Sequence, residues 1–211
     1  MRTKIYKINF VEYKMKILKQ IKHIVIDRLL GDVFNLYIRR LHPKEAVRFA
    51  QKYFENKKID CAEIGVFKGE NSKYILKTLK VNKIYLIDPY EKYTHYKSDE
   101  SYKSVIKAKK ITHNKLKSYK NCKWIEKFSE KAFLEIPDLD FLYIDGNHEY
   151  EYVKKDMKMY WNKIRQHGIM AGHDIDWQGV SKALMEFIKE NNISGDKIFF
   201  GNKTDWWIVK D

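Results

Sequence analysis

The sequence predicts an α/β fold of three layers, a mostly parallel sheet between two layers of helices, with an antiparallel hairpin at its C-terminal end. Three observations lead there. From about residue 43 onward, short apolar runs alternate with helix-length stretches, the pattern of successive βα units. The runs lack strict alternation (Phe141-Leu-Tyr-Ile144, Gly168-Ile-Met-Ala171), as strands buried on both faces do. The chain closes on Lys197–Phe200 and Asp205–Val209, two strand-like segments around the turn Gly201-Asn202-Lys203-Thr204.

Residues 11–40 place Ile17, Ile21 and Ile24, then Leu29, Leu30, Val33, Phe34, Tyr37 and Ile38, at helical spacing, and Gly31 divides them into two helices. This basic amphipathic segment suits packing on its own domain, a lid over the site or a homodimer contact. A membrane surface is a further, less favoured partner. His42-Pro43 separates the helical extension (1–42) from the main domain (43–211), because the residue before proline is driven out of the helical region. Pro43 then suits the first turn of a helix to about Glu55. Strands are expected near 60–66, 83–88, 123–126, 140–145 and 168–172. Helices are expected near 70–80, 99–117, 130–135, 149–165 and 178–191, with Ser129-Glu130 a plausible helix start.

Length and composition exclude several classes. A chain of 211 residues buries a sizeable core as one domain, and 44% apolar with 15% aromatic content is unlike a disordered chain. No apolar run approaches the ~18 residues of a membrane span. Lys14, Lys16, Lys19, Lys22, Asp27 and Arg28 interrupt any signal-peptide core. Cys61 and Cys122 form neither a metal nor a disulfide pattern; Cys61 reads as a small buried strand residue, and a reducing cytoplasm is the expected location. Residues 1–42 carry ten Lys/Arg against three acids (Glu12, Asp27, Asp32), half of the net charge of +14. Solvated lysine faces account for the rest of the surplus. Nucleic acid, an anionic membrane or an acidic substrate are the other partners that such a balance suits.

The motif richest in chemistry runs from Glu63 to Asp88. It reads Glu63-Ile-Gly65-Val-Phe-Lys-Gly69-Glu-Asn-Ser72, a helix-length gap, then Ile84-Tyr-Leu-Ile-Asp88. An acid about 20 residues beyond a glycine turn can chelate the two hydroxyls of a ribose. A dinucleotide turn needs a middle glycine so that pyrophosphate can approach the backbone, and Phe67 stands there instead. A phosphate loop needs Gly-Lys-Ser/Thr, whereas Gly69 is followed by Glu70, which repels phosphate. Glu63-x-Gly65-x-x-x-Gly69 instead suits a cofactor with adenine, ribose and a zwitterionic amino-acid tail, S-adenosylmethionine (SAM).

In an open α/β sheet, ligands bind outside the carboxyl ends of the strands. After the fourth expected strand comes Asp145-Gly-Asn-His148, and after the fifth Gly172-His173-Asp174-Ile-Asp176. Turn formation explains such residues in part. Two carboxylates converging with one or two imidazoles also make a hard site for Mg²⁺ or Ca²⁺, or with the imidazole for Mn²⁺, Fe²⁺ or Zn²⁺. An ion there would lower the pKa of an acceptor hydroxyl and orient it. Without a metal, His148 or Asp145 would serve as general base.

These residues resemble class I SAM-dependent methyltransferases. The resemblance is carried by Ala62–Ser72, Leu86-Ile-Asp88, Asp140-Phe-Leu-Tyr-Ile-Asp145-Gly-Asn-His148-Glu-Tyr and Gly168-Ile-Met-Ala-Gly-His173-Asp174, and it covers roughly Val47 to Asp211. Within that class it is similar to the macrocin- and mycinamicin-type sugar O-methyltransferases. The resemblance implies a Rossmann-like methyltransferase fold in which Glu63, Gly65, Gly69 and Asp145 line the SAM tail and ribose. It further implies that Asp88 takes the ribose hydroxyls and Ser129 flanks the adenine. Asp145 and Asp174 match two of the three Mg²⁺-holding acids of the metal-dependent members, and His173 stands where those have the third. Candidate metal ligands are thus Asp145, Asp174 and His173, for Mg²⁺ or Mn²⁺, and candidate catalytic residues Asp145, His148 and His173.

The function expected is O-methylation of a sugar, glycan or similar polyhydroxylated acceptor. Loop Pro89–Ser98, with Tyr90, Tyr93, His95 and Tyr96, and the Asp176-Trp177 corner are the candidate acceptor contacts. A nucleic-acid methyltransferase is the alternative that the charge favours, but base methylation needs an Asn/Asp-Pro-Pro-aromatic run where this chain has Asp145-Gly-Asn-His148. A catalytically silent SAM-fold module acting in binding or assembly is the third reading.

Overall fold

The computed structural model describes residues 44–91, 99–201 and 204–211, without the side chains of 99–102. The expected helices over 11–40, most of the candidate acceptor loop after Pro89, and Asn202-Lys203 lie outside the described residues. Helix α1 (Glu45–Phe54) leads into β1 (Ile59–Ile64), α2 (Glu70–Thr78), β2 (Val81–Ile87), α3 (Asp99–Leu116) and β3 (Cys122–Ile125). There follow a short helix α4 (Ser129–Ala132) continued by one 3₁₀ turn, then β4 (Leu139–Ile144), α5 (Tyr150–Trp161), β5 (Ile164–Gly172) and α6 (Gln178–Glu190). Strands β6 (Ile198–Phe200) and β7 (Trp206–Val209) end the chain.

The seven strands form one sheet in the order β3-β2-β1-β4-β5-β7-β6. Strands β3, β2, β1, β4 and β5 pair in parallel, and β7 lies antiparallel between β5 and β6. Parallel pairing requires a crossover between strands, which is why helices cover both faces. Successive strand residues then serve opposite cores. Cys61, Phe141, Tyr143 and Trp207 pack with α1 and α2, whereas Ala62, Leu142, Ile144 and Trp206 pack with α5 and α6. All six residues of β4 are buried. Helix α1 meets the sheet through Ala46, Val47, Ala50 and Phe54, and α6 through Val180, Ala183, Leu184, Phe187 and Ile188. No helix among the described residues is long and apolar enough to cross a membrane.

The three-layer sandwich and its terminal hairpin are as expected, but one boundary is not. The helix expected to run to residue 165 ends at Trp161, and β5 starts at Ile164 rather than near 168. Long-range pairing overrides the helical pattern here. Ile164 pairs with Leu139, and Ile169 with Phe141, so an irregularity of several β5 residues intervenes. Within it, the Arg165 guanidinium reaches Asp140 at 2.7 Å and Asp60 at 3.2 Å, and His167 takes φ 61° before the strand resumes.

The chain leaves β1 toward β2 and β3 on one side and returns to β4 and β5 on the other. The crevice between the carboxyl ends of β1 and β4 is therefore the topological switch point, where open α/β sheets hold ligands.

Candidate active site

Strand β1 stops because Gly65 adopts φ +87°, a conformation that costs any residue with a Cβ. A Cβ there would lie 2.1 Å from the carbonyl oxygen of Asp145, so the ends of β1 and β4 touch backbone to backbone. Its N–H donates to Ile87 O at 2.9 Å, tying in β2 as well. Phe67 follows in the left-handed region at φ 46°, and its N–H donates to Asp88 Oδ2 at 2.8 Å. Gly69, at φ +68°, opens α2, and the Thr112 hydroxyl of α3 holds the turn by donating to Phe67 O.

Asp88 directly follows β2 and accepts N–H groups from Phe67 at 2.8 Å and Tyr90 at 2.9 Å, one on each oxygen. A carboxylate has about four acceptor positions, so both oxygens keep capacity toward the cleft. Burial raises the Asp88 pKa, and the backbone donors oppose the rise. Glu63, the penultimate residue of β1, is buried. It accepts Asn71 Nδ2 at 2.9 Å and the Ser72 hydroxyl, yet burial outweighs these donors and pushes its pKa up to about 8. Ser129 opens α4 with its hydroxyl donating to Asp156 Oδ1 on α5, and burial pushes Asp156 up to about 7. The Ser129 carbonyl accepts the Tyr160 hydroxyl at 2.7 Å.

Glu63, Gly65, Asp88, Ser129 and Asp145 line one cleft of about 1220 Å³, ample for a nucleoside with a tail. Gly69 does not line it; it shapes the turn that does. Lys44, Asn71 and Asp156 also line the cleft and were not anticipated from the sequence. Lys44 and Asp156 carry no motif; only tertiary folding brings them to the motif residues.

At one side of this cleft stand the residues after β4 and β5. His148 Nε2 lies 3.2 Å from Asp174 Oδ2 and 3.8 Å from Asp145 Oδ1. That nitrogen is buried and has no hydrogen-bond partner of good geometry among the described residues. Asp145 raises the His148 pKa, burial opposes the rise, and the charge of Asp174 adds to it. Gly179, at the start of α6, lets that helix close on the loop, since a Cβ there would lie 2.3 Å from the His148 carbonyl oxygen.

His173 is held differently. Its N–H donates to Ile144 O at 3.2 Å, Nδ1 lies 3.0 Å from Asp174 Oδ1, and Nε2 is 2.6 Å from the Thr204 hydroxyl. Asp174 sits at φ 55°, where Asp and Asn are tolerated better than bulkier residues. Burial would raise its pKa, but the hydrogen bond from His173 and the charges of His173, His148 and Lys44 outweigh it and hold Asp174 at about 2. One ligand atom each from Asp145, His148 and Asp174 lies within 4.8 Å of the others. His148 thus joins the two acids, and His173 Nδ1 also lies 3.9 Å from Asp145 Oδ1, so both imidazoles stand against the carboxylate pair. Two carboxyl groups beside an imidazole can take up a proton from a substrate hydroxyl, and the same donor set can bind a divalent ion.

A family model described as a methyltransferase domain matches residues 62–175, more than half the chain and all of the motifs above. Among solved structures the fold is similar to the Streptococcus mutans protein SMU.1697c in complex with S-adenosylhomocysteine (SAH), at 12% identity over 81% of this chain and 98% of that one, TM-score 0.57. It is similar to the O-methyltransferase NovP at 12% identity, over 79% of this chain and 78% of that one, TM-score 0.57. An rRNA methylase from Streptococcus thermophilus matches at 10% identity over 79% and 95%, TM-score 0.53. At these identities the likeness concerns the fold. No curated protein matches the sequence. With the matched model spanning the glycine turn, Asp88 and both strand-end clusters, the chain belongs to the methyltransferase-domain family and is a SAM-dependent methyltransferase.

Proposed function

We propose that the chain transfers the SAM methyl group to a hydroxyl oxygen of a sugar, glycan or similar polyhydroxylated small molecule. The observation that carries this reading is His148 between Asp145 and Asp174, 3.8 Å and 3.2 Å away, at the edge of the cofactor cleft. A sulfonium is already an activated methyl donor, so the protein's part is to place an oxygen nucleophile in line and take its proton. The acceptor oxygen bonds to the methyl carbon, the carbon–sulfur bond breaks to leave SAH, and the hydroxyl proton passes to His148. Asp145 and Asp174 stabilise the imidazolium so formed. Trp177, half exposed, has its ring 5.1 Å from that of His148, and its open face suits the C–H face of a sugar ring.

The donor set also fits Mg²⁺ or Mn²⁺: two carboxylates and an imidazole nitrogen within 4.8 Å of one another are the hard oxygen and nitrogen ligands these ions take. Asp145 and Asp174 would hold the ion with His148 completing the set, and a bound ion would polarise the acceptor hydroxyl. His173, engaged by Thr204, then orients Asp174.

The test is turnover with SAM on a panel of sugars, glycosides and RNA, read by mass for one added methyl. Methylation of a carbohydrate oxygen is the expected result; RNA as the sole acceptor, with steep salt dependence, would replace this reading. Replacing His148 by Gln should lower kcat by roughly 10²- to 10⁴-fold. Chelation separates its two roles: EDTA inhibition reversed by Mn²⁺ makes it a ligand, and full activity in EDTA makes it the base.

A further inference from the structure

Lys44 is the one lysine or arginine placed against the Asp145 end of the cofactor cleft by an ion pair among the described residues. Its Nζ lies 3.7 Å from Asp145 Oδ2 and 5.6 Å from the centroid of the Tyr143 ring, and the residue lines the cleft together with Glu63 and Asn71. The distance to Asp145 is in ion-pair range but beyond hydrogen-bond length, so that pairing leaves the ammonium donors available.

The position is built. Ala46 N–H, in the first turn of α1, donates to the buried Asp205 Oδ2 at 3.1 Å, and Asp205 Oδ1 accepts the Tyr143 hydroxyl at 2.9 Å. On the same side Glu45 packs against Gly201, where a Cβ would lie 2.2 Å from its Oε2. The start of α1 is therefore fastened to β4 and to the loop before β7, and Lys44 is held at the cleft.

Acceptor groups line the same cleft wall. Glu63 accepts from Asn71 and Ser72, while Asn71 Oδ1 is buried and has no hydrogen-bond partner among the described residues. A buried carboxyl that a bound cation would ionise and an orphaned amide oxygen call for a donor group, and Lys44 calls for an anion. An α-amino acid supplies both within a few bonds. The geometry points to Lys44 as the anchor of the α-carboxylate of the cofactor's methionine tail, with Glu63 and Asn71 Oδ1 receiving its α-ammonium. This rests on SAM binding and is independent of the acceptor. A purely structural role, as the partner of Asp145, would contribute little, since partly exposed ion pairs at such distances have small effects.

Decarboxylated SAM, which keeps the sulfonium and the amine but lacks the carboxylate, is the probe. Calorimetric titration of the full chain, with no acceptor present, should show SAM bound about 10- to 100-fold more tightly than decarboxylated SAM, the range for a hydrogen bond between charged groups. In Lys44→Met that preference should vanish through loss of SAM affinity alone, and Lys44→Arg should retain most of it. Equal affinity of the wild-type chain for the two ligands would overturn the proposal without any variant. So would an equal loss for both ligands in Lys44→Met, or no loss for either.

Discussion

Asp88 and Asp145 close the strands on either side of β1 and do different work. Asp88 is held by two backbone N–H groups beside the glycine turn, whereas Asp145 faces two imidazoles and an ammonium. Asp88→Ala is expected to abolish SAM binding by calorimetry. Asp145→Ala should bind SAM and fail to turn over; full activity in that variant would remove Asp145 from the chemistry. Glu63 carries a pH signature. Its folded pKa of about 8 lies above the ordinary 4.5, so the folded chain holds a proton that the unfolded chain has lost. Its contribution to stability is complete below about pH 4.5 and declines as pH rises to about 8, by at most about 1.4 kcal/mol per pH unit. Glu63→Gln removes that slope. Without cofactor, the melting temperature of the variant relative to wild type should therefore rise between pH 5 and pH 8, and parallel profiles would contradict a buried neutral acid. At this scale the acids and histidines of the turns were legible, because Asp, Gly and His just after apolar runs have few packing explanations. Lys44 and Asp156 were not. Each is an ordinary helix or helix-edge residue in the sequence, and only contacts some 100 residues away in the chain for Lys44, or 27 for Asp156, give it a place in the cleft.

Element boundaries show which local signals survive folding. The glycine turn reads from sequence because its requirement is local: Gly65 and Gly69 both take positive φ. Their replacements should differ. An alanine pays roughly 1–2 kcal/mol in the left-handed region at either site. At Gly69 the new Cβ meets a Thr112 methyl at 2.7 Å, which can rotate away; at Gly65 it meets the Asp145 backbone at 2.1 Å, which cannot. Gly65→Ala should therefore lose more stability than Gly69→Ala in denaturant melts, and should weaken SAM binding by displacing β1 from β4. Equal losses would mean that the two strand ends are not in backbone contact. The start of β5 could not be read in this way. Ile164 and Arg165 continue the apolar and basic pattern of the preceding helix, and only the pairing of Ile164 with Leu139 and of Arg165 with Asp140 makes them strand. The 3₁₀ turn after α4 was likewise folded into one longer expected helix.

For the whole molecule, the parallel sheet and the terminal hairpin followed from the alternation of buried strands with helices, and right-handed crossovers leave few arrangements. What the alternation does not encode is that β7 inserts between β5 and β6, which takes Asp205 beside His173 and under α1. That insertion links the C-terminal hairpin to both sides of the site: Thr204 steadies His173 and Asp205 steadies the start of α1. The net charge of +14, by contrast, does not by itself select an acceptor. The central claim is that one cleft, between the ends of β1 and β4, presents the methyl donor to the carboxylate–imidazole cluster. A crystal structure of the full chain with SAH tests it most directly. The ribose hydroxyls should rest on Asp88 and the sulfur should face Asp145 and His148. SAH bound with its sulfur turned away from that cluster, or its ribose away from Asp88, would contradict it.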